Sequence, residues 1–600
     1  MRIYDLMYRA ARPSKMENRK AFIIGGGQAG LAAAAFLADD VHMPAENITL
    51  LEAGAALGGA MDGTGDAAHG YLCRGERELE PNMECLWYLC AKVPSPRRAG
   101  RTVLDDVWDF NSREPIHSEY RVIEKQGRLV DVHDHKMDGE LVALMLRLTY
   151  VPETELEGMS IEQYFPPRFF DTNLWWCFHS MLAFKRYHSV IEAKRYFRRF
   201  AHLGPEIDYL HGILHTDLNE YEAIIKPMEV WLQSLGVHLR TGVAVSNIQM
   251  TADHNTVVAL ELVHDGAVSR IDVGPNDLVF FTNGSMSQNS MFGDSHTVAP
   301  TNRDTQQRGV FTLWEKLAKR DPKFGAPATF ISDIDKTKWV SFFPTITDYP
   351  QFVERIERVS GSKAGRGGAI TIKDSAWDIS FELHHKPFFS NQPDNVEVLW
   401  GYGLYGENIG DYVKKPMCDC TGHEIMTELL FHLGMLDLRD DLLAHTSVST
   451  AMMPYITSQF MPRKIADRPK VVPSGCTNLA FIGQYVETPE DAVFTVETSC
   501  RTAMQAVFAL AGVDKKPLEV QPTYYDARYM LAAAKRYSGI RALSEESLPR
   551  LNPMKLIFPL VFGFRRFKRE ALAYLKLFED YPSVYPGKEP PPSRDQARRP

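Results

Sequence analysis

Short, wholly apolar runs punctuate this chain, separated by stretches whose apolar residues recur every three or four positions. Ala21-Phe22-Ile23-Ile24 is the first such run. Lacking polar alternation, it predicts a strand covered on both faces, as in a parallel sheet. Similar runs at Asn47-Ile48-Thr49-Leu50-Leu51, Val237-His238-Leu239, Leu278-Val279-Phe280-Phe281 and Leu479-Ala480-Phe481-Ile482 predict further strands. Helices are predicted for the alanine-rich stretch after Gly30, for Met83 to Leu89, for Ile224 to Leu235 (stopped by Gly236) and for Val496 to Leu510. Between 170 and 200, Phe178, Leu182, Ala193, Tyr196 and Phe200 fall near helical spacing and share an apolar face. A tyrosine there is a half-buried residue whose hydroxyl reaches for a partner. Residues 300–470 are aromatic-rich with mixed patterning, which suits an apolar tunnel and an ordinary core equally.

Strands alternating with helices predict an α/β fold. Six hundred residues exceed one core, so several domains are expected. The pattern divides into a discontinuous, Rossmann-type domain (1–95, 205–300 and 471–515), in which a cofactor is expected, and a second region (96–204 and 301–470), in which the substrate is expected. A C-terminal helical region (516–585) and a disordered, proline-rich tail (586–600) complete the chain.

Composition narrows the function classes. Sixty-seven basic against 76 acidic residues give a net charge of −9, which leaves no basic excess for a dedicated nucleic-acid binder. Eight scattered cysteines include Cys418-Asp419-Cys420, which lacks metal-finger spacing. They read as buried thiols of a reducing, cytoplasmic compartment, and no metal site is expected. The uncharged stretch 21–38 approaches membrane-span length, but its glycines explain it better than a bilayer does. Phe558 to Arg569 mixes aromatics with four basic residues and is a candidate for peripheral contact with anionic lipid.

Candidate chemistry begins after the first strand. Gly25, Gly27 and Gly30 have the G-x-G-x-x-G spacing: a tight bend, close approach of backbone to a pyrophosphate, and close helix–strand packing. The helix that follows presents free N–H groups to phosphate, with Gln28 in its first turn. Glu52 ends the second strand, where a ribose-binding carboxylate belongs, and Gly58-Gly59 follows closely. Val243 and the turn Asn283-Gly284 sit where flavoproteins frame the adenine end of FAD. Gly483, between the last strand and its helix, closes the cofactor domain. Arg74-Gly75-Glu76-Arg77-Glu78-Leu79-Glu80 packs two arginines and three glutamates behind the nucleotide turn.

Blocks spread over almost the whole chain resemble the oleate hydratases, the myosin-cross-reactive-antigen family of FAD-dependent fatty acid hydratases. They include Gly25 to Gly30, Arg74 to Glu80 with Glu84-Cys85-Leu86-Trp87, His188-Ser189 through Arg199-Phe200, and Thr282 to Ser285. Trp400 to Leu404, Tyr412 to Met417, Met453 to Ser458, Phe460 to Arg463, Asp467 to Pro473 and Asn478 to Gly483 also match. The resemblance implies hydration of an isolated cis double bond in a free unsaturated fatty acid, of the oleate to 10-hydroxystearate type. FAD, preferably reduced, is then required without net redox change.

By motif match, Glu78 is the water-activating carboxylate and Tyr196 the proton donor to the alkene. Arg74 and Arg77 would hold the loop against FAD, and Thr457, Ser458 and Gln459 are candidates for the substrate carboxylate. Glu76 stands where many members carry glycine and would alter loop closure or pair with Arg77. About twenty residues precede the first strand, fewer than in members whose extension builds a dimer, so the chain reads as a monomer or a homodimer. Two other classes remain open: a redox flavoenzyme (oxidase, desaturase or isomerase) acting on a fatty acid, and a non-catalytic lipid- or FAD-binding relative.

Overall fold

The structure, a computed structural model, describes residues 16–514 and 516–537. Its organising layer is a five-stranded parallel sheet of β1 (Ala21–Ile24), β2 (Ile48–Leu51), β3 (His238–Arg240), β4 (Leu278–Thr282) and β5 (Leu479–Ile482). The strands lie in the order β5-β4-β1-β2-β3. Ile23 stands beside Leu50 on one side and Phe280 on the other. The strands come from three separate stretches of chain, brought together into an α/β, Rossmann-type arrangement.

Successive side chains of a strand point to opposite faces, so a run without polar alternation needs cover on both. Ile23, Leu50, Phe280 and Ala480 pack against helices α1 (Gln28–Ala35), α2 (Glu84–Cys90) and α4 (Val496–Ala511). Phe22, Ile24, Phe281 and Phe481 face the other way. They meet a three-stranded antiparallel sheet (Val243–Met250, Val257–His264, Ala267–Asp272) and the helix Val310–Ala318. The segment after Thr241 therefore caps the parallel sheet and does not extend it.

A second, eight-stranded mixed sheet is built around the long strands Trp339–Thr347, Val396–Gly403 and Thr446–Met453. Between β2 and β3 in sequence run α3 (Val190–Arg199) and the helices Gly139–Tyr150 and Asn173–Leu182, which share an aromatic core with Phe460 and Val493.

One expectation is corrected near the C-terminus. Residues 516–522 are not helical, because Pro517 and Pro522 deny the backbone its N–H donors. The helix Ala527–Tyr537 begins only after them. The basic aromatic segment 558–569 and the tail 586–600 lie outside the described residues. Among the described residues no helix is long and apolar enough to cross a membrane.

Candidate active site

The C-terminal ends of the parallel strands converge on one edge, the usual ligand edge of an open α/β sheet. Gly25 leaves β1 with φ +105° and donates its N–H to Leu51 O at 2.9 Å. Gly30 must be glycine, because a Cβ there would lie 2.0 Å from Gly25 O. The Glu52 carboxylate accepts the N–H groups of Gly26 (2.7 Å) and Gly54 (2.6 Å), which fixes it at the mouth of the turn. Gly58 donates to Gly26 O at 2.9 Å, so the second glycine pair stacks on the first. Val243 donates to Glu52 O, Asn283 Nδ2 to Tyr485 O, and Gly483 N to Thr502 Oγ1. Gly284 is pressed between Tyr485 and Phe311. Gln28 spends one end on Cys500 Sγ. Its Oε1, Asn283 Oδ1 and Thr282 Oγ1 are buried without a hydrogen-bond partner among the described residues.

The loop 74–80 is tied to this edge by its arginines. Arg74 pairs with Asp62 at 2.7 Å and donates to Gly59 O at 2.5 Å. Arg77 donates to Ala60 O and to the main-chain oxygen of Glu76, with its guanidinium 5.7 Å from the Phe494 ring centre. The expected pairing of Glu76 with Arg77 therefore runs through the backbone. The Glu76 carboxyl turns instead to His384 Nδ1, 3.2 Å away, and to Glu382. Leu79 and Leu214 exchange both backbone hydrogen bonds and close the loop.

Beyond the loop lies a cavity of about 200 Å³. Arg77, Glu76, Glu78, Glu80 and Glu382 are its charged lining, and Tyr196, Tyr402, Tyr524, His211, Thr149 and Thr495 add further polar groups. The rest is mostly apolar wall, including Leu146, Phe178, Met181, Phe200 and Leu210. Burial pushes the Glu78 carboxyl up to about 7 against the opposing pull of Arg121. The Tyr196 hydroxyl donates to Val493 O at 2.6 Å, with the ring edge-on to Phe184. Burial, then Glu192 and Asp491, raise this phenol well above its ordinary range, so it stays protonated.

Tyr196 is positioned by charge as much as by packing. The buried face of α3 carries Glu192, Arg195 and Arg199 around it. Glu192 meets Arg463 (2.8 Å) and Arg468 (3.2 Å), Arg195 meets Glu153 and Glu487, and Arg199 meets Glu84 and Asp491. Among the described residues this face is as ionic as it is aromatic, which helical periodicity alone does not reveal.

Thr457, Ser458 and Gln459 do not line the cavity. All three are fully buried. Their polar atoms are spent on Thr337 O, the Tyr485 hydroxyl and Ile456 O, which hold the chain after the strand Thr446–Met453. Sequence reasoning also missed His215, Glu382 and Arg121. They come from distant segments and join Glu76 and Glu78 only in the folded chain.

The MCRA family model matches residues 18–508. An oleate hydratase from Streptococcus pyogenes serotype M49 is 35% identical over 557 residues, covering 91% of this chain and 94% of that protein. A linoleate hydratase from Lactiplantibacillus plantarum is 30% identical over 567 residues, covering 87% and 99%. The solved structure of an oxidoreductase from Methanosarcina mazei shares 13% identity over 81% of this chain and 99% of its own, with a TM-score of 0.46. A family model spanning most of the chain and two relatives aligned nearly end to end lead to one assignment: this chain belongs to the MCRA family.

Proposed function

We propose that this protein is a fatty acid hydratase that adds water across an isolated cis double bond of a free unsaturated fatty acid, with FAD bound at the glycine edge of the parallel sheet. The observation that carries the reading is that Glu78 and Tyr196, far apart in sequence, line one largely apolar cavity. The two hydratase relatives point the same way.

The residues of the sheet edge fit a dinucleotide. Three buried polar atoms there await partners, the N-terminus of α1 offers its free N–H groups, and a side chain at Gly30 would close the turn. Gly25, Gly27, Gly30 and Gly58-Gly59 would cradle the pyrophosphate, Glu52 the ribose, and Asn283, Gly284 and Gly483 the remainder. Arg74 and Arg77 tie the loop of Glu78 to the same edge. When bound and reduced, the flavin supplies negative potential beside the cavity and need not exchange electrons.

Water addition to an unactivated alkene requires a proton on one carbon and an oxygen on the other, through a cation-like transition state. Tyr196 donates its phenolic proton to one alkene carbon. Glu78 in its ionised form, which burial makes a stronger base than an ordinary carboxylate, orients a water and takes its proton as the C–O bond forms. The carboxylate stabilises the developing positive charge in a site of low dielectric. Net, one water is consumed and both side chains return to their starting states once a proton passes back to Tyr196. The apolar wall receives the alkyl chain and excludes other water.

Anaerobic incubation of oleate with the protein and reduced FAD in oxygen-18 water tests this. A labelled hydroxy acid is expected. An oxidised product would establish the redox alternative, and no product would leave only binding. Arg565, Arg566, Lys568 and Arg569, beside Phe562, Phe564 and Phe567 in sequence, would let the enzyme take substrate from an anionic bilayer. Vesicle sedimentation before and after truncation at about residue 550 tests that part.

A further inference from the structure

Three side chains beside Glu78 are not used by the hydration chemistry: Glu76, His215 and Glu382. Each offers one ligand atom, and these atoms all lie within 4.8 Å of one another. His215 Nε2 is 3.8 Å from Glu382 Oε1. The side chains are 7%, 7% and 2% exposed for Glu76, His215 and Glu382. Two carboxylates this close and this dry repel each other, and an isolated buried charge is costly unless something of opposite sign joins it.

A second observation points to what joins them. His215 Nε2 is buried and takes no hydrogen bond among the described residues, and Glu76 Oε2 and Glu382 Oε1 are buried with no hydrogen-bonding neighbour of their own there beyond each other and the His384 imidazole. The contrast with the cluster Asp411, Glu428 and His432 is informative. It has the same donor types and similar spacing. There the Glu428 carboxylate accepts backbone N–H groups from Asp411, Tyr412 and Val413, so its charge is already met by a loop. Among the described residues Glu76 and Glu382 have no such backbone cradle. His384 Nδ1 lies 3.2 Å from Glu76 Oε2 and its ring stacks on Phe388 at 3.9 Å, an outer partner that holds Glu76 in orientation.

We propose that Glu76, His215 and Glu382 form a binding site for a divalent transition-metal ion of the Zn²⁺ or Mn²⁺ class, beside the cavity. Two carboxylate oxygens and one imidazole nitrogen suit these ions. Ca²⁺ and Mg²⁺ prefer all-oxygen shells. The ion neutralises the paired carboxylates and ties the loop of Glu78 to the eight-stranded sheet through Glu382. Glu76 is the residue that creates the site, since glycine at that position would remove one of its three ligands. The assignment rests on these side chains and not on the hydration reaction.

The test is metal binding itself. Full-length, FAD-loaded protein is stripped with a chelator and titrated with zinc chloride by calorimetry, and its zinc content is measured after dialysis. One equivalent per chain is expected. Glu76→Gly and Glu382→Gln should each weaken binding by at least about 100-fold, beyond the ~10–100-fold expected when His384→Gln removes only an outer partner. Circular dichroism and flavin content establish that each variant is folded, and any folded ligand variant decides the matter. With cobalt in place of zinc, His215→Asn should change the visible ligand-field spectrum. No saturable uptake by the wild type at millimolar zinc would overturn the proposal and leave a shared proton between the two carboxylates. So would equal affinity in all folded variants.

Discussion

Replacing Glu192 by glutamine tests whether ion pairs hold the tyrosine helix in place. Glu192, Arg463 and Arg468 have fully buried side chains, with contacts of 2.8 and 3.2 Å. Burial alone would raise the Glu192 carboxyl, but Arg468, Arg463 and Arg195 outweigh it and hold it at about 2 against an ordinary 4.5. At about 1.4 kcal/mol per pH unit, that difference contributes about 3 kcal/mol of stability. Because the folded pKa is the lower one, the contribution is fully present above pH 4.5 and disappears as pH falls toward 2. Glu192→Gln should therefore unfold more easily by about 3 kcal/mol at pH 7, near the ~3–5 kcal/mol typical of a broken buried pair. The gap should shrink to about 1 kcal/mol at pH 3. Guanidinium unfolding followed by tryptophan fluorescence measures both. In a double-mutant cycle with Arg463→Met, the pair should cost at least about 1 kcal/mol less than the sum of the singles. A variant within about 0.5 kcal/mol of wild type at pH 7, the scatter of neutral surface changes, would refute the reasoning, as would a gap independent of pH.

Other consequences can be read with simpler assays. Glu78→Gln and Tyr196→Phe should each lower turnover by about 10²–10⁴-fold in mass-spectrometric product analysis, the range a general acid or base supplies. For Tyr196→Phe the stability loss should stay near 1–3 kcal/mol, roughly the cost of leaving Val493 O without its donor, and retained activity in either variant would remove that residue from the chemistry. Gly27→Ala places its methyl 3.7 Å from the nearest atom, Gly59 Cα. It should fold normally while flavin affinity, read by fluorescence quenching, falls at least about tenfold, or ~1.4 kcal/mol. Gly30→Ala forces its methyl to 2.0 Å from Gly25 O and should not yield folded protein in an expression and melting test. Met145→Trp adds bulk to the cavity wall and should lower kcat/KM for an 18-carbon substrate about tenfold more than for a 14-carbon one.

What could be read from the chain beforehand follows the range of the forces involved. β1, β2, β4 and β5 were legible because strands covered on both faces leave short unbroken apolar runs, a local signature. The turn after β1 was legible because backbone crowding at Gly30 admits one residue type. Tyr196 was legible as part of a helical apolar stripe with Phe200 and Ala193. Glu192, Arg195 and Arg199 were not, because charges at helical spacing usually mark a solvated face, and their partners lie at Glu84, Glu153, Arg463, Arg468, Glu487 and Asp491. His215 and Glu382 are likewise invisible until a loop and a strand of the eight-stranded sheet, far apart in the chain, are brought together. For Thr457 to Gln459 a block resemblance does not tell which way the side chains turn, and in the folded chain their polar atoms are spent on Thr337 O, the Tyr485 hydroxyl and Ile456 O.

The same distinction bears on mechanism. An apolar cavity can receive an alkyl chain, but contacts without direction cannot fix the angle at which a phenol meets a double bond. Directional bonds must do that, and around Tyr196 they come from Val493 O and from the ion pairs on either side of it along α3. Each pair is buried, so each is stiff and costly to break. A helix held in register by the ion pairs of Glu192, Arg195 and Arg199 keeps the hydroxyl within reach of one point in the cavity, and the Arg77 bonds to the neighbouring loop hold Glu78 near the same space. The residues that look most solvent-like in the sequence of α3 are thus the ones that keep the Tyr196 hydroxyl still, and if Tyr196 is the proton donor proposed above, weakening them should lower turnover.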